Sequence, residues 1–142
     1  MSKSIPAYVE GHNLLAGKSV LITAAAGAGI GFSAATRAVE EGARAVVISD
    51  VHEGRLAQAR ETLDAISPDC TVSAKLCDVT NEEQVQALVA FAETEMSGVD
   101  VLINNAGLGG SKRLVDMTDE EWSWVLDITL TRHHAHDEGD AP

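Results

Sequence analysis

The stretch "VLITAAAGAGIGFSAATRAVEEGARAVVISD", Val20 to Asp50, decides the fold. It runs from an apolar segment through glycines at every second position (Gly27, Gly29, Gly31) into a stretch of helical spacing. A second apolar segment follows and closes on an aspartate. "SVLIT" (Ser19–Thr23) is short and apolar and has β-branched residues, the pattern of a strand buried on both faces. From Phe32 to Glu41 the positions Ala34, Ala35, Ala38 and Val39 share one helical stripe, and Gly42 is placed to end the helix. "AVVIS" (Ala45–Ser49) then reads as a second buried strand. A strand, a tight glycine turn, a helix and a second strand make a βαβ unit.

The alternation continues downstream. Leu56, Ala59, Leu63 and Ile66 recur at helical spacing until Pro68 stops the run. "TVSAKLCDV" reads as a third strand. Thr80-Asn81-Glu82-Glu83 predicts a capping box with Thr80 as N-cap, opening a helix that buries Val85, Leu88, Val89, Ala92 and Met96. "VDVLINN" reads as a fourth strand. Thr118-Asp119-Glu120-Glu121 predicts another capping box, with "WSWVLDITL" continuing as helix. Strands alternating with helices in this way predict an α/β fold with a parallel sheet and right-handed crossovers.

Composition narrows the partners. The 142 residues suffice for one domain, and 45% apolar content suits a packed core. Ten Lys and Arg against 22 Asp and Glu give a net charge of −12, which argues against nucleic acid and anionic membranes as partners. One local anion site built from backbone N–H groups is still compatible with that charge. Cys70 and Cys77 lie too far apart along one strand to be bridged, so free thiols and a cytoplasmic location are expected. "MSKSIPAYVEGHNLLAGK" has no apolar core of a signal peptide. Ser19–Thr36 carries no charge over eighteen residues, yet its glycines, hydroxyls and alanines favour strand, loop and helix over a membrane span.

In a parallel α/β sheet a ligand sits beyond the carboxyl ends of the strands, at the N-terminus of the first helix. There a diphosphate meets unpaired amides and a favourable dipole, and glycine permits its close approach. The spacing is not G-x-G-x-x-G, because Phe32 stands at the third glycine. It follows G-x-x-x-G-x-G with Ala25 in the first place, then Gly29 and Gly31. A plain structural turn is the alternative reading of this loop alone. Asp50, nineteen residues after Gly31, is placed to accept hydrogen bonds from an adenosine ribose, a solvated turn residue being the alternative.

With "CDVT" (Cys77–Thr80) and "NNAG" (Asn104–Gly107), the segment from Lys18 to Thr131 resembles the short-chain dehydrogenase/reductase family. The resemblance implies a Rossmann-type three-layer fold with sheet order 3-2-1-4, truncated before the strands that normally continue it. It implies a nicotinamide dinucleotide held by Gly27, Gly29, Ile30, Gly31, Asp50, Asp78, Val79, Asn105, Ala106 and Gly107. NAD is favoured over NADP, since Asp50 repels a 2′-phosphate and Ala28 offers it no base. "TAAAGAGIG", "GHNLLAGK" and "NNAGLGG" further resemble the actinobacterial branch acting on CoA thioesters from steroid-ring degradation, with 3-oxoacyl-carrier-protein reductases as neighbours.

The resemblance stops short of the chemistry. The family moves its proton through a tyrosine four residues before a lysine, with a serine upstream. The lone tyrosine, Tyr8, is followed four residues later by His12, and no such constellation comes after "NNAG". The family's helical asparagine is replaced by Thr129. No catalytic residue is therefore assigned, and a non-catalytic dinucleotide-binding module or an unstable truncated product are the alternatives to an oxidoreductase.

Residues 1–17 read as a surface arm, 18–131 as the partial domain and 132–142 as an aberrant polar tail. In that tail His133, His134, His136 and Asp137 are metal-ligand types without fixed geometry, and no metal is expected. One permitted coding string for the tail, shifted by one base, translates to a run resembling the family's continuing helix. A single-base frameshift near codon 131 is the resulting expectation. A fourth strand left as an apolar edge predicts self-association, where full-length relatives form homo-oligomers.

Overall fold

A computed structural model describes residues 7–108 and 112–129. Four parallel strands alternate with helices: β1 (Ser19–Ile22), α1 (Ile30–Glu40), β2 (Ala45–Asp50), α2 (Glu53–Asp64), β3 (Thr71–Leu76), α3 (Glu82–Met96), β4 (Val101–Ile103) and α4 (Asp119–Thr129). The sheet order is β3-β2-β1-β4, as the resemblance implies. Leu21 is flanked by Val47 of β2 and Leu102 of β4.

Strand alternation sorts the core into two layers. Val20, Ile22, Val46, Ile48 and Val72 face α1 and α2, where Ala35, Ala38, Val39, Leu56, Ala59 and Leu63 meet them. Leu21, Ala45 and Val47 face the other way, against Leu88, Ala92 and Met96 of α3. Alanines on α1 let that helix lie close to the sheet. Ile22 and Ile48 are fully buried, each contributing about 1.5–3 kcal/mol by leaving water.

Several boundaries differ from those the residue pattern predicts. The third strand ends at Leu76, and the hydrogen-bonded turn that follows runs from Asp78 to Asn81. Asn81, not Thr80, caps α3, its side-chain oxygen accepting from Gln84 N–H at 3.1 Å. Thr80 is held instead by Asp78, whose Oδ1 accepts from the Thr80 N–H and hydroxyl at 2.9 and 2.7 Å. An Asx turn has thus taken the hydroxyl that a capping box would need. Ile66 falls beyond α2 and is exposed. The second box holds, with Glu121 N–H donating to Thr118 Oγ1 at 3.2 Å and Thr118 N–H to Glu121 Oε2 at 3.0 Å.

Residues 7–17 lie across the end of α1. The buried Glu41 carboxylate accepts from the N–H groups of His12 (2.7 Å) and Leu14 (3.1 Å) and pairs with Arg37, whose guanidinium also stands over the Tyr8 ring. Those donors, Leu14 first, hold the Glu41 carboxyl below the usual range. Gly11 has no room for a side chain: a Cβ there would sit 2.1 Å from the Glu40 carbonyl oxygen.

Candidate cofactor site

The glycine-rich turn leaves β1 at the carboxyl edge of the sheet and is fastened on both sides. Toward β2, Ala25 N–H donates to Ser49 O at 2.9 Å and Ala26 N–H to Asp50 Oδ2 at 3.1 Å. Toward β4, Thr23 N–H donates to Ile103 O at 3.1 Å. Gly27 has φ +93°, a conformation that disfavours any side chain. Gly29 is the N-cap of α1 and supplies no side-chain acceptor, so the first-turn amides of Ile30, Gly31 and Phe32 keep their polarity for a ligand. Space beyond Gly29 is open, since a Cβ there would meet nothing within 4 Å. Ile30 is 83% exposed beside it, an apolar surface next to the uncapped helix end.

Gly31 is needed for a different reason. A Cβ on it would lie 2.5 Å from Asn105 Nδ2 and 2.7 Å from the Ala24 carbonyl oxygen. Asn105 fills that gap as a brace, its amide donating to the carbonyls of Thr23 and Ala24, both at 3.0 Å. Thr23 Oγ1 in turn accepts from the N–H groups of Asn105 (3.0 Å) and Ala106 (3.1 Å). The turn after β4 and the turn after β1 are therefore one hydrogen-bonded unit.

Thr129 reaches the same unit from α4. Its hydroxyl lies between Leu108 N (3.3 Å) and Leu108 O (3.4 Å), and it stands against the face where Gly107 lacks a side chain. Asp50 has both carboxylate oxygens engaged, Oδ2 by Ala26 and Oδ1 by His52 N–H at 3.1 Å. Asp78 is pinned at the neighbouring β3 end by Thr80, and its own N–H donates to Gln84 Oε1 at 2.9 Å. Val79, Leu88, Leu102, Ala106 and Ile128 line an apolar pocket between β1, β4, α3 and α4.

The residues picked from the sequence thus gather along the carboxyl ends of β1 to β4. Gly27, Gly29, Ile30, Gly31, Asp50, Asn105 and Ala106 form or contact the fastened turn, Gly107 closes it toward α4, and Asp78 and Val79 stand beside it. Sequence reasoning missed Thr23, which ties the turns after β1 and β4 together, and Ala26, which fastens the first turn to Asp50. A hydroxyl closing an otherwise apolar strand was the available signal for Thr23. Ser49, fully buried at the end of β2, has a hydroxyl without a hydrogen-bond partner among the described residues.

The histidine tail and its metal reading lie outside the described residues. Among the described residues, no group of three or more His, Cys, Asp or Glu converges on a metal-sized site, and no helix is long and apolar enough to cross a membrane.

Known proteins share this geometry. The short chain dehydrogenase family profile matches residues 18–133. A carboxyl-CoA reductase of Mycobacterium tuberculosis, named for a hydroxy-methyl-oxo-hexahydroindene substrate, is 51% identical over 126 residues. These make up 89% of this chain and 47% of that protein. A short chain dehydrogenase structure from Mycobacterium smegmatis superposes with a TM-score of 0.87 at 51% identity, covering 93% of this chain and 53% of the other. A short-chain dehydrogenase/reductase from Burkholderia phymatum, solved in complex with NAD, superposes with a TM-score of 0.75 at 34% identity, covering 85% and 42%. The chain spans about half the length of the curated relatives it matches. With the family profile covering most of its length and the glycine turn, sheet order and Asn105 brace in place, the chain belongs to the short chain dehydrogenase family.

Proposed function

We propose that these residues form the dinucleotide-binding half of an oxidoreductase that moves a hydride between NAD and an alcohol or ketone carbon. The observation that carries this reading is the uncapped start of α1, facing open space at Gly29 and locked in shape by Asn105 beneath Gly31. The first-turn amides of α1 hold the diphosphate. Asp50 and the Asp78–Val79 turn flank the adenosine, and the Asn105–Gly107 turn positions the nicotinamide end. The nicotinamide ring supplies the hydride acceptor or donor. Asp50 favours NAD over NADP by charge, with Ala28 adding no cation.

The substrate is proposed from the relatives. The 51% identity to a carboxyl-CoA reductase supports a ring-bearing acyl-CoA thioester. The chain of 142 residues contains no Tyr-x-x-x-Lys pair, so on its own it binds the dinucleotide without turning substrate over. The outer edge of β4, unpaired among the described residues, and the exposed Trp122 and Trp124 of α4 support self-association of this chain in solution.

Titration of the purified chain with NADH, followed by nicotinamide fluorescence, tests the binding reading. Saturable enhancement that NAD competes away is expected. A flat titration up to millimolar NADH sinks it. Assaying the same chain for NAD-linked alcohol oxidation tests the second part, and measurable turnover would overturn the assignment of a binding half without catalysis.

A further inference from the structure

Among the described residues three that are not glycine adopt a positive φ: Asn13 at 62°, Ser97 at 54° and Ala24 at 51°. The first two have local reasons. Asparagine tolerates the left-handed region better than most residues, and Ser97 closes α3 in the left-handed conformation that commonly ends a helix. Ala24 has neither reason. Its methyl makes the left-handed region unfavourable, it carries no polar side chain to compensate, and it follows a strand rather than a helix.

Its surroundings impose the conformation. Asn105 Nδ2 donates to the carbonyls of Thr23 and Ala24, both at 3.0 Å, so one amide grips the peptide groups on either side of the Ala24 Cα. The Thr23 N–H is tied to Ile103 O at 3.1 Å and the Ala25 N–H to Ser49 O at 2.9 Å. Beyond the kink, Ala25 is fully buried in the core. The Ala24 carbonyl stands against the start of α1, 2.7 Å from where a Cβ on Gly31 would be. The course of the backbone at Ala24 therefore sets where the first-turn amides of α1 stand relative to the sheet. Strain of this kind persists where the structure around it over-determines it, and it is settled on folding rather than on binding.

We propose that Ala24 is a positioning residue of the dinucleotide site, a strained kink that Asn105 holds so that the α1 amides are already arrayed when the diphosphate arrives. The proposal rests on the binding reading above. Without the brace, alanine leaves the left-handed region, and affinity falls with the fraction of chains that keep the turn in its binding shape. Glycine has no such aversion and keeps the kink with or without Asn105. The methyl of Ala24 thus makes the turn answerable to a residue 81 positions away.

The test is a double-mutant cycle on the full chain: Ala24→Gly, Asn105→Ala and the two combined. Each protein is titrated with NADH and unfolded in urea, and backbone chemical shifts report the φ of residue 24. Asn105→Ala is expected to bind NADH about tenfold more weakly, with residue 24 moved out of the left-handed region. Adding Ala24→Gly restores binding to within about threefold of the wild type. Ala24→Gly alone raises the urea midpoint, the reverse of what loss of a methyl does where φ is negative. An Asn105 that only stabilises the fold, or that only touches the nucleotide, would not be rescued from position 24. A double variant as weak as Asn105→Ala, or a lowered midpoint for Ala24→Gly, overturns the proposal and leaves the binding reading intact. If Asn105→Ala does not fold alone, Ala24→Val with the brace intact decides. Valine there is expected to weaken NADH binding about tenfold, and unchanged binding overturns the proposal. A wild-type chain that binds no NADH sinks both readings together.

Discussion

The side-chain amide nitrogen of Asn105 occupies the space that any residue larger than glycine at position 31 would claim, at 2.5 Å from its Cβ position. At Gly29, two residues earlier, the equivalent space is empty to 4 Å. The two glycines therefore serve different ends, and alanine separates them. Gly31→Ala forces the Asn105 brace or the Ala24 carbonyl to move and is expected to cost about 1–3 kcal/mol of stability. Gly29→Ala keeps its extended N-cap conformation and leaves the melting temperature nearly unchanged, while its methyl stands where the proposed diphosphate would approach. Thermal denaturation and NADH titration of both variants check the contrast: Gly29→Ala binds at least about tenfold more weakly in an undamaged fold.

Thr23→Val tests whether the turns after β1 and β4 behave as one unit. The hydroxyl accepts two backbone N–H groups, from Asn105 and the buried Ala106, and valine keeps the shape while removing the acceptor. A loss of about 1–3 kcal/mol in urea denaturation is expected, with faster amide exchange at Asn105 and Ala106. Unchanged exchange at both positions would refute the coupling.

Cys77 gives a pH signature. Burial, reinforced by the Asp78 carboxylate and opposed by Lys75, pushes its thiol up from 9.0 to about 11. A folded pKa above the unfolded one means a contribution fully present below about pH 9 and lost as the pH climbs toward 11. The loss attributable to this thiol is of the order of 2–3 kcal/mol. Comparing denaturant midpoints of the wild type and Cys77→Ala at pH 8 and pH 11 isolates it, because other alkaline titrations are common to both. Slow alkylation of Cys77 at neutral pH follows from the same burial.

Glu41 governs the arm. Its carboxylate takes two N–H groups from the arm and the Arg37 guanidinium, and it titrates below the usual carboxylate range. Its contribution is present above the unfolded pKa and lost as the pH falls through the lowered folded value. Glu41→Gln is expected to speed limited proteolysis between residues 7 and 17 at neutral pH, and acid should do the same to the wild type. Equal cleavage rates in the two proteins at neutral pH would remove Glu41 from this role.

The parts of this molecule legible in its residues were those set by repeating pattern. Buried strands, amphipathic helices and the parallel sheet follow from the period of Val20–Ile22, Val46–Ile48 and the α1 stripe, and long-range packing agreed with them. What misled was local competition for one side chain. Thr80 could cap a helix or complete a turn with Asp78, and only the position of β3 decides between them. The site divided in the same way. The glycines and Asp50 are spaced along the chain and could be read, whereas Thr23 meets Asn105 across 82 residues. Contacts of that kind leave no periodic mark.

Both oxygens of Asp50 are tethered to main chain, so the residue proposed to sort one nucleotide from another is also a rivet in the crevice wall. Replacing this aspartate to re-educate the site toward the phosphorylated coenzyme would unfasten the wall in the same stroke. Ala28, exposed on the turn, is the position where such a change leaves the architecture whole.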